Sequence, residues 1–409
     1  MPKCDPTRVL RDLKHLRSIG AYETGVHKPA LSPAHVASID YVKAELGKIG
    51  HRTVVDGIGN LFGFSTADGA RLLAGSHLES QNYAGWLDGP LGVIYALEAA
   101  RAIAADPAFT GKGVDVAAWC DEEGHFGSFL GSRSGMGEVG EAEIDAAYDR
   151  TTGQSLRDAL RAAGYAGRSR EVLDAERYIG FFEAHIEQGD WLEAHEQKIA
   201  IVTAIVGITQ YRLTFTGHQN HAGTTRMAIR RDAGLAAAKL AVAIDEVFPE
   251  RCGPRTVWTV GDIAFDPGAP SIIPGKAVML FQIRDTDRAV HTRLDAELRR
   301  LVGEANARGP CRIEVEVLRQ TTPATMSESF QSAIEAAAEA RAPGKHTRLP
   351  SGAGHDAQIL AGHMPSAMMF VPSIGGISHH WTENTSDEDI ALGAEVYVDA
   401  AARMLRATR

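Results

Sequence analysis

One stretch constrains the fold of this chain most, because it joins a predicted strand to a predicted helix through a loop rich in glycine and polar residues. It runs from Gly75 to Gly92 and follows the apolar run Leu72–Ala74, which is typical of a buried strand. His77 stands where the strand ends, and Asp88 stands just before the predicted helix 90–104. Open α/β sheets build binding sites beyond the carboxyl ends of their strands. His77 and Asp88 are therefore candidate metal ligands, although a lone His after a strand, or an Asp before a helix, is more often structural.

Two further apolar runs end in polar residues of the same kind. The run Val114–Cys120 is followed by acidic residues that include Glu122 and Glu123, and the stretch Tyr178–Gly189 contains His185. Adjacent side chains on an extended backbone point to opposite sides, so Glu122 and Glu123 cannot face the same way. We expect one of them to bind metal and the other to face a substrate, which is the division that metal-assisted hydrolysis requires.

Length and charge limit the class of protein. At 409 residues the chain exceeds one typical domain, and about 100 to 200 residues per domain predicts two or three. Lys and Arg number 42 against 52 Asp and Glu, a formal net charge of -10. Such a surface is unfavourable for nucleic-acid phosphates and anionic lipids, so we expect a small-molecule or peptide substrate and no nucleic-acid or membrane partner.

The cysteines and the N-terminal residues indicate a cellular compartment. Cys4, Cys120, Cys252 and Cys311 are far apart and have no paired spacing, which favours reduced thiols over a disulfide framework or a cysteine–zinc site. The first residues lead into an amphipathic helix rather than an apolar signal core, and no run of about 18 apolar residues occurs. We therefore expect a cytoplasmic protein.

Predicted helices and strands alternate along most of the chain, which is typical of an α/β layer architecture. The predicted helices outside the middle segment are 6–18, 33–50, 90–104, 154–164, 327–340 and one that follows Ser386; the main predicted strands are 52–55, 60–63, 72–74, 114–120, 178–189 and 366–371. Between residues 205 and 318 the order becomes β-α-β-β-α-β, typical of a split βαβ sandwich. Because candidate ligands lie on both sides of it, we predict that 205–318 is inserted into a catalytic domain made of 1–204 and 319–409.

The candidate ligands share one kind of position, next to a predicted strand end or a glycine turn. They are His77, Asp88, Glu123, His185 and His379. Nitrogen and oxygen ligands without a thiolate suit two borderline or hard divalent ions; zinc and manganese are favoured, and cobalt and nickel share these ligands. If Asp88 bridges the ions, positions remain for a water molecule, whose pKa such ions lower to ~7.

Several longer motifs resemble one family. They are the stretches Gly75–Leu78, Asp88–Val93, Asp121–Gly124, Leu130–Arg133, His185–Gly189, Asn220–Thr225, Arg230–Ala233, Ser351–Ala357 and Gly376–His379. Together they resemble the dinuclear metallopeptidase and amidohydrolase family that contains aminoacylases, and within it the N-carbamoyl-L-amino-acid hydrolases, β-ureidopropionase and allantoate amidohydrolase. The resemblance covers nearly the whole chain. It implies a mixed-sheet dinuclear-metal hydrolase domain with helices on both faces, plus an inserted α+β sandwich that serves as a lid or dimerisation domain.

The resemblance also implies a role for each site residue. One metal would be held by His77, Asp88 and His185, and the other by Asp88, Glu123 and His379. Glu122 would be the general base that takes a proton from a metal-bridging water and returns it to the leaving nitrogen. His221 would stabilise the oxyanion in the partner subunit of a homodimer. The residues expected to contact substrate are Gln188, Arg284, Ser271, Asn220 and His355.

Two departures from the family pattern leave the substrate open. Glu79 stands where relatives usually have an Asp that orients the first metal His, and Ser271 stands where ureido-hydrolysing relatives usually have Asn. The leading hypothesis is hydrolysis of a C–N bond, other than a peptide bond, in a small carboxylated N-carbamoyl or ureido compound. The alternatives are an aminoacylase or dipeptidase of the same fold, and a binding protein without catalytic activity.

Overall fold

The computed structural model describes residues 1–407, which form two compact units. The first unit comprises Met1–Thr203 and the chain from Thr325 onward, and the second comprises Ala204–Ala324. The second unit therefore ends later than residue 318, where the sequence placed its boundary. The physical reason is that its last strand continues to Gln320, and the next residue, Thr321, donates its backbone N–H to Ile208 O at 2.9 Å.

The helices and strands are numbered here in chain order. Before the second unit they are α1 (Pro6–Ser18), β1 (Ala21–Tyr22), β2 (Gly25–Val26), α2 (Pro33–Lys48), β3 (Arg52–Val55), β4 (Leu61–Phe64), β5 (Arg71–His77), α3 (Pro90–Ala105), β6 (Gly113–Trp119), α4 (Leu130–Gly135), α5 (Glu141–Ala146), α6 (Leu156–Ala162), β7 (Phe181–Ile186), α7 (Trp191–Ala194) and β8 (Ile199–Ile205). The next elements are β9 (Gly207–Thr216), β10 (Asn220–His221), α8 (Ala233–Val247), β11 (Val257–Asp266), β12 (Ile272–Ile273), β13 (Lys276–Asp285), α9 (Arg288–Arg308) and β14 (Arg312–Gln320). The chain ends with β15 (Ala324–Thr325), α10 (Glu328–Arg341), β16 (His346–Ser351), α11 (Asp356–Leu360), β17 (Ser366–Val371) and α12 (Asp387–Ala407).

The first unit is built on one mixed sheet, which confirms the predicted fold class. Its strand order is β15-β8-β17-β7-β5-β6-β4-β3, and β16 pairs with β8. The strands β17, β7, β5 and β6 run parallel to one another, while β8 and β4 are antiparallel to their neighbours β17 and β6. Because parallel strands end at the same edge of a sheet, the loops that follow β17, β7, β5 and β6 leave from one edge.

Helix starts in the first unit follow the capping residues of the sequence. The Asp5 side chain accepts the backbone N–H of Arg8 at the start of α1, whose bounds are as predicted. The Ser32 side chain accepts the backbone N–H of His35, with Pro33 as the first residue of α2. Helix α3 is buried from Pro90 to Ile103, and its two buried charged residues, Glu98 and Arg101, are paired with Arg8 and Asp12.

The second unit contains a four-stranded antiparallel sheet in the order β11-β13-β9-β14. Alternate residues of β9 and β13, such as Leu213 and Phe281, are buried in one core cluster with residues of α8 and α9. The order β9-α8-β11-β13-α9-β14 is the predicted one. Helix α8 begins at Ala233, because the Asp232 side chain caps it by accepting the Leu235 N–H. The β10–β12 pair was not predicted, since strands of two residues carry no periodicity.

Within residues 1–407, no helix combines the length and the apolar composition that crossing a membrane requires.

Candidate metal centre

The predicted ligands converge beyond the carboxyl edge of the mixed sheet. His77 is the last residue of β5, and His185 is the residue before the last in β7. Glu123 follows β6, His379 follows β17, and Asp88 lies in the loop that leads into α3. Their donor atoms form two groups, each with all its atoms within 4.8 Å of one another: His77, Asp88 and His185, and Asp88, Glu123 and His379.

The two groups share Asp88, and each of its oxygens faces one of them. Asp88 Oδ1 lies 3.1 Å from His185 Nε2 and 3.6 Å from His77 Nε2. Asp88 Oδ2 lies 3.4 Å from His379 Nε2, which is itself 3.7 Å from Glu123 Oε2. A carboxylate in this position can bridge two cations.

The hydrogen bonds of the histidines test whether a cation fits here. His185 Nδ1 lies 2.9 Å from Ile186 O, and His77 Nδ1 lies 3.2 Å from the backbone oxygen of Glu79. A carbonyl can only accept, so each Nδ1 carries a proton, and Nε2 is the ring atom of each histidine that faces Asp88. Each Nε2 can face the Asp88 carboxylate either as a proton donor or as the ligand of a cation held between them, and orientation of Nδ1 by a backbone carbonyl is typical of metal-binding histidines.

Two further observations agree with a cation site. Glu123 Oε1 is buried and has no hydrogen-bond partner, so it is free to ligate. Burial alone would raise the pKa of Asp88, but hydrogen bonds with His185, His379 and His77 hold it well below its usual value. The hydrogen bond to Asp88 also raises the pKa of His379 to about 9, against the effect of burial. The site therefore favours positive charge around an ionised Asp88, so the residues present fit divalent ions.

Glu122 lies beside both groups without belonging to either. Its Oε2 is 3.8 Å from His77 Nε2. Its backbone N–H donates to Glu79 Oε1 at 2.7 Å, whereas Glu79 Oε1 is 3.7 Å from His77 Nδ1. The longer side chain at position 79 therefore holds the backbone of Glu122, and His77 is oriented by the backbone carbonyl of Glu79. Burial raises the pKa of Glu122 well above its usual value, although the charge of His77 opposes this shift.

Gln188 and His355 also contact the groups. Gln188 Nε2 donates to Asp88 Oδ2 at 2.9 Å, so the amide nitrogen faces the carboxylate and Oε1 faces away. That Oε1 is buried and has no hydrogen-bond partner. His355 is buried with its ring centroid 4.7 Å from that of His185, and its Nε2 lies 2.8 Å from Ser351 Oγ. Burial and the charge of His185 lower the pKa of His355 well below its usual value, so it is neutral.

The other predicted residues, His221, Asn220, Ser271 and Arg284, belong to the second unit. His221 is exposed, and its Nδ1 accepts the backbone N–H groups of Gly223 and Thr224 at 3.0 and 3.2 Å. Because Nδ1 accepts, the neutral ring carries its proton on Nε2 and presents it as a donor. Arg284 is partly buried near the end of β13, and burial lowers its pKa.

Two histidines adjacent in sequence to the ligands lie outside both groups. The ring of His380 stacks on Trp381 with centroids 3.9 Å apart, and its Nδ1 lies 2.8 Å from Thr382 Oγ1. His125 Nε2 lies 3.0 Å from Ser80 O. The geometry therefore favours His379 over His380.

Sequence reasoning missed Gln81 and Glu383, which contact the candidate ligands. Gln81 Nε2 donates to Glu123 Oε2 at 2.7 Å, and Glu383 Oε1 accepts the backbone N–H of Asp88 at 3.2 Å. Gln81 lies in the loop between His77 and Asp88, a position that could have marked it. Glu383 has no such signal beyond following His379 in one loop.

The chain is similar to known proteins over most of its length. The profile described as "Peptidase family M20/M25/M40" matches residues 72–403. The N-carbamoyl-L-amino-acid amidohydrolase of Paenarthrobacter aurescens is 31% identical over 408 residues, covering 97% of this chain and 97% of that protein. The allantoate amidohydrolase of Escherichia coli (strain K12) is 31% identical over 395 residues, covering 94% of each. The solved structure of an amidase of the hydantoinase/carbamoylase family from Burkholderia phymatum has a TM-score of 0.92 and 44% identity, covering 100% of both chains.

The shared position of Asp88 predicts how metal binding divides among variants. We expect Asp88→Ala to lower the affinity for both ions, because only Asp88 belongs to both groups. His185→Ala and His379→Ala should each lower the affinity for one ion. Each loss should exceed the ~10- to 100-fold typical of removing a partner that only orients a ligand. Equilibrium dialysis of the full-length protein against cobalt(II) measures this. His195→Ala, an exposed histidine outside both groups, is the control. Two tightly bound equivalents in Asp88→Ala would contradict the shared position.

Proposed function

The chain belongs to peptidase family M20/M25/M40, and from this premise we propose that it hydrolyses a C–N bond, other than a peptide bond, in a small carboxylated N-carbamoyl or ureido compound. The substrate class is taken from the relatives, which are named for N-carbamoyl-L-amino acids and allantoate. The observation that carries the proposal is the convergence of two candidate ligand groups on Asp88 with Glu122 beside them.

We propose that the site holds two divalent ions, with zinc or manganese favoured over cobalt and nickel. His77, Asp88 and His185 would hold one, and Asp88, Glu123 and His379 the other. When bound, such ions polarise a carbonyl oxygen and make water a stronger acid.

Glu122 is the proposed general base. A ureido carbon is a weak electrophile, so a water molecule must lose a proton as it attacks, and the leaving nitrogen must gain one. Glu122 can carry that proton, because its carboxylate lies 3.8 Å from His77 while both groups of ligands are complete without it. The bond from its backbone to Glu79 fixes its position.

Each of the remaining residues would bind a different part of the substrate. Gln188 Oε1, a buried acceptor without a partner, would accept an N–H of the ureido group. His221 of the partner subunit would donate its Nε2 proton to the developing oxyanion. Arg284 would bind the carboxylate through two parallel hydrogen bonds, as a planar guanidinium can. Ser271 and Asn220 lie beside His221, because Ser271 O accepts the Ala222 N–H and Asn220 pairs with Ile273, and they would contact the substrate there. His355 would line the site behind His185.

The homodimer and the compartment are parts of the same proposal. Support for a dimer is that His221 is exposed with a donor nitrogen, and that β11 and β14 are edge strands of their sheet. Support for the cytoplasm is that Cys4, Cys120, Cys252 and Cys311 are all free thiols, which is typical of a reducing compartment.

A turnover panel tests the substrate class. After loading with zinc or manganese, we expect ammonia release from N-carbamoyl-L-amino acids, 3-ureidopropionate or allantoate. For the best of these, kcat/KM should exceed that for N-acetyl amino acids and dipeptides by at least ~100-fold, because an acetyl group lacks the N–H that Gln188 Oε1 would accept. Turnover of acyl compounds or dipeptides alone would instead identify an aminoacylase or dipeptidase.

The general base is tested by Glu122→Gln. We expect kcat to fall by about 10²- to 10⁴-fold, because the amide cannot take a proton, while the bound metal measured by elemental analysis stays unchanged. Glu176→Gln, at an exposed position of the same unit, is the control and should keep full activity. Full kcat in Glu122→Gln would reject Glu122 as the general base, whereas no turnover by the metal-loaded wild-type protein would favour the noncatalytic binding protein.

The role of His221 is tested by His221→Ala. We expect kcat to fall by ~10²- to 10³-fold, with a much smaller change in KM, because the donor acts on charge that develops in the transition state. His218→Ala, another exposed histidine of the second unit, is the control.

Mixing inactive subunits distinguishes action in the same subunit from action in the partner. If His221 serves the partner, a heterodimer of Glu122→Gln and His221→Ala chains has one complete site, so coexpression should restore roughly a quarter of wild-type activity. Activity no higher than that of either variant alone would reject the dimeric arrangement.

A further inference from the structure

Glu383 is a buried carboxylate that belongs to neither candidate metal group. Glu383 is 1% exposed, so its carboxylate oxygens need hydrogen-bond partners within the protein. Oε1 accepts the backbone N–H groups of Leu87 and Asp88 at 3.3 and 3.2 Å, and Oε2 accepts the hydroxyl of Ser378 at 3.1 Å. Both oxygens are therefore engaged with hydrogen-bond donors of the protein.

These hydrogen bonds join two segments that lie far apart in sequence. Glu383 and Asp88 are separated by 295 residues, and Ser378 directly precedes His379. The Ser378 hydroxyl also lies 3.3 Å from Asp88 Oδ2. The Glu383 side chain therefore contacts the backbone of Asp88, the ligand that both groups share. It also contacts the hydroxyl of Ser378, the residue next to His379.

The Glu383 carboxylate packs against the backbone of Gly85, where the absence of a side chain leaves room for it. A Cβ placed on Gly85 would lie 1.8 Å from Glu383 Oε1, closer than any real contact. Any larger residue at position 85 would displace the carboxylate from the Leu87 and Asp88 N–H groups. Gly85 thus gives a second way to disturb the same hydrogen bonds.

We propose that Glu383 is a positioning residue that fixes Asp88 and His379 relative to each other and thereby sets the affinity for the ion they hold together. The inference rests on the proposed function in taking Asp88 and His379 as ligands. Its physical basis is that the buried N–H groups of Leu87 and Asp88 need an acceptor. Without one, the loop would rearrange and carry the Asp88 carboxylate away from His379.

The amide isostere separates positioning from charge. In Glu383→Gln, the amide oxygen can accept the same two backbone N–H groups, and the amide nitrogen can donate to Ser378 Oγ. The Ser378 hydroxyl then remains free to donate to Asp88. Positioning therefore survives in Glu383→Gln, whereas the negative charge is lost. Glu383→Leu removes both.

The test is a cobalt(II) titration of the metal-free full-length protein, followed by the visible absorption of the bound ion. We expect Glu383→Gln to bind two equivalents with wild-type affinity and spectrum. Glu383→Leu and Gly85→Ala should each lose ~10- to 100-fold in affinity for one equivalent, with an altered spectrum, as expected when a group that orients metal ligands is removed. Glu388→Leu, an exposed glutamate in the first turn of α12, is the matched control and should bind as wild type.

Two results would overturn the proposal. One is wild-type cobalt binding by folded Glu383→Leu and Gly85→Ala proteins. The other is a loss in Glu383→Gln as large as that in Glu383→Leu, which would assign the effect to charge. Circular dichroism checks that each variant folds. If Glu383→Leu does not fold, the cobalt titration of Gly85→Ala decides the test. Because the titration uses no substrate, its outcome is independent of whether ureido compounds are hydrolysed.

Discussion

The candidate site depends on one buried anion, the carboxylate of Asp88, placed among three imidazole rings. Burial by itself would keep this carboxyl group protonated, and the hydrogen bonds with His185, His379 and His77 reverse that preference. A buried charge is stable only when its partners are held in place, so the surrounding structure must fix several chain segments at once. Because one oxygen faces His185 and the other faces His379, a small displacement of Asp88 would disturb both groups together.

The scaffold meets this requirement with rigid elements on two sides of Asp88. On one side, parallel strands β5 and β7 end in His77 and His185, so the register of the sheet sets the distance between these ligands. On the other side, buried helix α3 begins just after Asp88. Gly89 at this junction has φ +88°, and a Cβ there would lie 2.4 Å from His77 Nδ1. The close approach of the helix start to His77 therefore depends on glycine at this position.

The two units prepare different kinds of chemical group. The first unit concentrates ionisable side chains, and burial raises the pKa of Glu122 among them. In the second unit, the turn after β10 sets the tautomer of His221 through its own backbone, since Gly223 and Thr224 both donate to Nδ1. This donor is thus prepared locally and requires no contact with the carboxylates. The proposed mechanism assigns metal binding and proton transfer to the first unit, and binding of the oxyanion and the substrate carboxylate to the second.

The sequence by itself determined the α/β class, the bounds of α1 and β17, and the candidate ligands, because each depends on a local pattern. The mixed sheet was implied only by the resemblance to the family. His77 and His185 were found because a buried strand is a continuous apolar run that stops where the site begins. Only the tertiary structure decided that Glu79 bonds the backbone of Glu122 and that Glu383 contacts Asp88 across 295 residues. These contacts form between loops, whose side-chain directions are set by the packing of distant segments. Periodicity along the chain carries no information about such packing.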